Sequence, residues 1–184
     1  PGTRLLIVSA EQPARRIDRV LRRISSGIPA SRIERWTDRI AIVARAKALP
    51  AASRKLLTQD ATGRDLLRSV LANARAAGNP FGLVVLDSLS RLKPPDADEN
   101  SADDMTALCA PLQEIAESEN AYVILIHHRG HNGDPARAGA IGASRGSSAI
   151  AAVAQVAWTL DAVVGEPRQR VLRIAGNEVL EREL

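Results

Sequence analysis

Leu83-Val84-Val85-Leu86-Asp87-Ser88-Leu89-Ser90-Arg91 places four apolar residues without alternation ahead of an aspartate and a serine. An unbroken apolar run predicts a strand buried on both faces, the habit of parallel sheets that carry helices on each side. A carboxylate at the C-terminal end of such a strand lies at the edge where open α/β sheets bind ligands. The same carboxylate would equally serve to cap the turn that follows.

Upstream, Arg4 to Ser9 (RLLIVS) is a second short apolar run and predicts a buried strand. Pro13 then suits the first turn of a helix, where its missing N–H costs nothing. Ile17, Val20, Leu21 and Ile24 follow at helical spacing, with Arg15, Arg16, Arg19, Arg22 and Arg23 on the other side. Gly27 ends that helix. Ile40 to Val43 reads as a strand, Lys47 to Ser53 as loop and Lys55 to Thr58 as a short edge strand. Thr62-Gly63-Arg64-Asp65 resembles a capping box with Asp in place of Glu. Leu66, Leu67, Val70, Leu71 and Ala74 then predict a helix that stops at Gly78-Asn79-Pro80.

Downstream, Lys93 to Ser101 is polar and holds two prolines, so it predicts a surface loop. Met105, Leu108, Cys109, Leu112, Ile115 and Ala116 mark a helix that Pro111 either kinks or begins. Ala121 to Ile126 is another buried strand, and it ends at His127-His128. Residues 129–143 contain four glycines and one proline with no apolar period, which predicts a loop. Ser144-Arg145-Gly146-Ser147-Ser148 opens a short Ala-rich helix. Val156 to Leu160, Arg170 to Ile174 and Val179 to Leu184 read as three closing strands, with a hairpin around Gly165-Glu166-Pro167. The alternation of strand and helix predicts a doubly wound α/β domain with a mostly parallel sheet, helices on both faces and a C-terminal antiparallel hairpin.

The bulk numbers agree with one soluble domain of 184 residues, with 45% apolar and 25% charged residues. Aromatics make up only 2%, so the core must be built from Leu, Ile, Val and Ala. A net charge of +4 allows an anionic partner without demanding one. One cysteine, Cys109, excludes an internal disulfide and a cysteine cluster for zinc, and it fits a reducing, cytoplasmic compartment. No run of 18 apolar residues or signal peptide occurs, so neither a membrane span nor secretion is expected.

Three predicted strands end in polar groups suited to phosphate chemistry: Glu11, Asp87 and the pair His127-His128. In a parallel sheet those ends share one edge. A carboxylate such as Glu11 can polarise an attacking water, Asp87 can hold a hydrated Mg²⁺, an imidazole can sense a terminal phosphate, and an arginine can stabilise transition-state charge.

Together, LLIVSAEQP (5–13), LVVLDSLSRL (83–92), VILIHHRG (123–130), GASRGSSAI (142–150) and VAWTL (156–160) resemble the RecA-like P-loop ATPases. The resemblance is nearest to hexameric replicative helicases of the RepA type and their primase-associated relatives. It implies an ATP- and Mg²⁺-dependent motor on single-stranded DNA, working as a homo-oligomeric ring. By position, Glu11 matches the family's catalytic glutamate and Asp87 its Walker B, metal-holding aspartate. His128 matches the phosphate-sensing position, and Arg145 an arginine acting near the nucleotide. Ser88 and His127 would line the cofactor, while Arg129, His131 and Arg137 would contact DNA phosphates.

The departures are equally specific. Gln12 stands where the family has aspartate, and no G-x-x-x-x-G-K-[ST] occurs among the 184 residues. The resemblance places that phosphate-cradling segment just upstream of the first strand. The chain is therefore expected to be a single RecA-like domain, 1–184, lacking the central Walker A strand. The gap would leave the chain to fold poorly or to close it by direct pairing of the strands on either side. Alternatives of other classes are a non-hydrolysing regulatory or structural subunit of the same fold, and a recombinase or clock-type ATPase.

Overall fold

The computed structural model describes residues 3–29, 38–44, 61–128, 150, 153–163, 165–176 and 179–183. By its internal contacts the chain divides into two compact units, the first holding a parallel sheet and the second an antiparallel one.

In the first unit, β1 (Arg4–Ser9) lies where the apolar run predicts it. Pro13 stands in extended backbone at the cap of α1 (Ala14–Ser25), one residue ahead of the first turn. The stripe of Ile17, Val20, Leu21 and Ile24 forms, yet no residue of α1 is buried, and Val20 and Ile24 are about half exposed. Arg22 pairs with Asp18 one turn earlier at 2.8 Å, a surface contact of small energetic weight.

β2 (Ile40–Ala44) extends the predicted strand by one residue. α2 (Ala61–Ala76) holds Thr62 within its first turn. Its end is chemically specified. Gly78 adopts φ +72°, its N–H donates to the Arg75 carbonyl, and the Asn79 N–H donates to the Ala74 carbonyl. This pair of backward hydrogen bonds satisfies the last carbonyls, and only glycine enters that backbone region without strain. Pro80 then blocks any continuation.

The decisive stretch is β3 (Phe81–Asp87), followed by the short α3 (Leu89–Leu92). α4 (Ala102–Glu119) runs through Pro111, so that residue neither begins the helix nor ends it. Ser101 caps α4, its Oγ accepting the Asp104 N–H at 3.2 Å. β4 (Tyr122–Ile126) completes a four-stranded sheet of order β2-β1-β3-β4 in which every pairing is parallel.

Burial in this sheet alternates. Leu6 and Val8 of β1 sit in register with Val84 and Leu86 of β3, and all four are fully enclosed. The opposite row of Leu5, Ile7, Leu83 and Val85 is only half-buried. The expectation of two fully buried faces thus holds for one face. Leu67 and Leu71 of α2 and Leu112 and Ile115 of α4 are also enclosed. Arg68 reaches Glu114 at 3.0 Å, and Arg75 reaches Glu119 at 2.6 Å, tying α2 to α4 at two levels.

The second unit contains β5 (Val156–Val163), β6 (Glu166–Gly176) and β7 (Val179–Glu183), antiparallel in that order. The predicted hairpin forms, with Gly165 at φ +82° in its turn. One face carries exposed Val156, Trp158 and Leu160. Asp161, which points to the other face, pairs with Arg173 at 2.8 Å and is more enclosed than they are.

Within the second unit β5 pairs with β6 and β6 with β7. Among the described strands β4 pairs on one side only. The predicted loop 47–53, the edge strand 55–58, the loop 129–143 and the SRGSS segment lie outside the described residues. No helix among the described residues is long and apolar enough to cross a membrane.

Leu86→Ala removes a fully enclosed side chain from the middle of the sheet and is expected to cost about 2–5 kcal/mol in urea unfolding. Ile24→Ala, at a position 56% exposed, is expected to change stability by under about 0.5 kcal/mol.

Candidate active site

The register of the parallel sheet aligns Ser9 of β1 with Asp87 of β3, and Asp87 with Ile126 of β4. Residues just beyond that row therefore leave from one rim. Glu11 lies two residues past β1, Ser88 one residue past β3, and His127 and His128 one and two residues past β4. The Ala10 N–H donates to the Asp87 carbonyl at 2.7 Å, which carries the β1–β3 ladder one step beyond the strand and fixes the departure of Glu11.

The side chains join into a connected set. Ser9 Oγ donates to Asp87 Oδ2 at 2.7 Å and accepts the Gln12 N–H at 3.0 Å. Ser88 Oγ donates to Glu11 Oε2 at 3.0 Å. Because its single proton is committed there, Ser88 accepts from Ser90 Oγ, 3.1 Å away. His128 Nε2 lies 2.9 Å from the same Glu11 oxygen. An ionised carboxylate only accepts, so Nε2 carries the hydrogen.

Two donors on one oxygen favour the charged form of Glu11. The His128 hydrogen bond is the largest cause holding its pKa below the ordinary value of 4.5, followed by the Ser88 bond; the positive charge of Arg91 adds to both. One ligand atom each from Glu11, Asp87 and His128 lies within 4.8 Å of the others. His127 contributes differently. Its Nδ1 is enclosed and has no hydrogen-bond partner among the described residues, a state that costs about 1–3 kcal/mol unless a polar partner arrives.

The structure thus brings together Glu11, Asp87, Ser88 and His128 and places His127 beside them. Arg129, His131, Arg137 and Arg145 lie outside the described residues. Sequence reasoning passed over Ser9, Ser90 and Arg91. Ser9 carried a usable signal: a serine ending an apolar strand is a buried hydroxyl that needs a partner, and Ser9 is fully enclosed.

The chain belongs to the AAA domain family, which it matches over residues 2–134. That span covers the whole parallel sheet and the rim cluster. No curated protein matches the chain. ATPases of this P-loop type use a nucleotide and Mg²⁺ in general. The residues present fit the metal half of that requirement. Asp87 offers a hard oxygen at the strand end, oriented by Ser9, as a hydrated Mg²⁺ prefers. The phosphate-cradling sequence is not among the 184 residues.

A lowered carboxylate pKa stabilises the fold above the unfolded value and loses that contribution as pH falls through the folded value. A carboxyl-carbon NMR titration of Glu11 is expected to show a midpoint below 4.5. His128→Ala should move that midpoint upward. Identical midpoints in the two proteins would show that the imidazole does not govern this carboxylate.

Proposed function

We propose that this chain is the sheet-forming part of an ATP-hydrolysing DNA motor, a replicative helicase ATPase domain that couples hydrolysis to movement along single-stranded DNA. The observation that carries the reading is the meeting of Glu11, Asp87 and His128 at the C-terminal rim of a parallel sheet in a chain of the AAA domain family.

Each side chain has a distinct task in this reading. Mg²⁺-bound ATP supplies the electrophilic phosphorus and the charge to be neutralised. Asp87, with one oxygen held by Ser9, anchors the metal's water shell. Glu11 stays ionised and aligns the attacking water. Its basicity rises whenever a donor leaves it, so release of the His128 hydrogen bond raises its ability to take a proton. His128, once released, is free to meet a phosphate oxygen. Arg145 stabilises transition-state charge, and a segment outside these 184 residues provides the phosphate-cradling loop. Arg129, His131 and Arg137 contact DNA phosphates in a hexameric ring of cytoplasmic copies, which makes binding salt-sensitive and weak in base preference.

A second reading has its own support. The sequence lacks a G-x-x-x-x-G-K-[ST] motif, as would a regulatory or structural subunit that kept the fold and lost the chemistry. The coding sequence upstream of Pro1 separates the two: a phosphate-loop motif supports the motor, and its absence from the complete gene supports the subunit. A recombinase would form filaments on DNA rather than unwind it.

In a longer chain that carries the upstream segment, Mg²⁺-dependent ATP hydrolysis is expected. Asp87→Asn and Glu11→Gln should each lower turnover about 100-fold or more, the scale of removing one charge-stabilising or proton-transferring group. Turnover near the wild-type rate in both variants would reject the assignment.

A further inference from the structure

The same three side chains support a property that hydrolysis does not require. We infer that Glu11, Asp87 and His128 form a direct binding site for a borderline transition-metal dication, Zn²⁺ above all, in the nucleotide-free protein. Occupation of that site withdraws Glu11 and Asp87 from hydrolysis, so the metal acts as an inhibitor. The inhibitory half rests on the proposed ATPase reading; the binding half does not.

Donor chemistry is the first argument. Mg²⁺ takes oxygen ligands and retains its waters, whereas an imidazole with two carboxylates suits Zn²⁺, Co²⁺ or Mn²⁺. The three donors come from the exits of β1, β3 and β4, which are neighbours in the sheet.

Geometry is the second. Metal–ligand bonds of about 2.0–2.2 Å in a tetrahedron put donors about 3.4 Å apart. Glu11 Oε2 and His128 Nε2 are already 2.9 Å apart, and all three donors lie within 4.8 Å. From at most 4.8 Å to about 3.4 Å the contraction is at most about 1.4 Å, and it falls on side chains able to move. The His128 side chain is 59% exposed and that of Glu11 32% exposed.

Ligand orientation is the third. Ser9 holds the Asp87 carboxylate and Ser88 holds that of Glu11. Outer partners of this kind orient metal-binding groups and commonly decide affinity. Three protein ligands leave a fourth position for water. Binding at Nε2 requires the imidazole to carry its hydrogen on Nδ1, so the ring changes tautomer, the hydrogen bond to Glu11 is lost and the Nε2 lone pair goes to the metal.

The test is a titration of the nucleotide-free chain with Co²⁺, followed through its visible absorption, in millimolar Mg²⁺. One Co²⁺ per chain with an absorption characteristic of tetrahedral nitrogen–oxygen ligation is expected, and stoichiometric Zn²⁺ should displace it. His128→Ala should weaken binding at least tenfold with an unchanged far-ultraviolet circular dichroism spectrum. Glu114→Gln, at an exposed helix position, should leave it unchanged. Absence of one-to-one binding, equal competition by Mg²⁺, or Co²⁺ binding indifferent to His128→Ala would overturn the site. The Mg²⁺ competition needs no variant, so a misfolded His128→Ala does not blunt the test. In the longer chain, Zn²⁺ at one equivalent should lower any ATP turnover at least tenfold, and unaltered turnover would overturn the inhibitory half. A chain that binds Co²⁺ but hydrolyses nothing rejects the motor and retains the site; hydrolysis without a Co²⁺ site does the reverse.

Discussion

Parallel pairing between β1 and β3 is the constraint on which the rest depends. It sets Ser9 opposite Asp87, and the extra bond from the Ala10 N–H to the Asp87 carbonyl extends the alignment past the strand. A parallel ladder cannot be closed by a tight turn, so each strand must be followed by a crossover. That rule sends every strand in the same direction and gathers their C-terminal ends at one rim. Pairing of β4 with β3 then delivers His127 and His128 to the place where Glu11 and Asp87 already stand. A slip of one residue would send Asp87 to the other face and dissolve the cluster.

The rim concentrates negative charge and meets it with hydrogen-bond donors. Ser9 serves Asp87, while Ser88 and His128 serve one oxygen of Glu11. Nothing in this arrangement makes Glu11 a strong base as it stands; its donors keep it ionised and weakly basic. A site with that resting state is suited to a reaction that begins when a ligand competes for the donors. The enclosed Nδ1 of His127, without a hydrogen-bond partner among the described residues, suits a ligand-binding edge. The family match spans the residues of this cluster, so membership of the AAA domain family and the rim's geometry describe the same feature of the chain.

Elsewhere the chain displays apolar surface that local patterning assigns to a core. α1 carries a regular apolar stripe that is not buried, and β5 turns Val156, Trp158 and Leu160 outward. Patterning reports which residues share a face, but burial depends on what is placed over that face. In β3 the same distinction appears within one strand, where Val84 and Leu86 are enclosed while Leu83 and Val85 are half-open.

Much of the architecture was legible in local sequence. Apolar runs ending at Ser9, Asp87 and Ile126 marked three strands, Gly78-Asn79-Pro80 marked a helix stop, and Gly165 marked a hairpin, because each follows from short-range sterics or hydrogen bonding. The candidates Glu11, Asp87 and His128 were also visible, as polar residues directly after apolar runs. Strand order was not legible, nor was the sharing of one Glu11 oxygen between Ser88 and His128. Ser9 was missed because its partner lies 78 residues away. By itself the sequence determined which segments form the main strands and helices and which polar groups leave the strand ends, since those depend on neighbours along the chain, while several element ends fell elsewhere. Only the tertiary structure decided which groups meet, because register and strand order arise from non-local pairing that no short segment encodes.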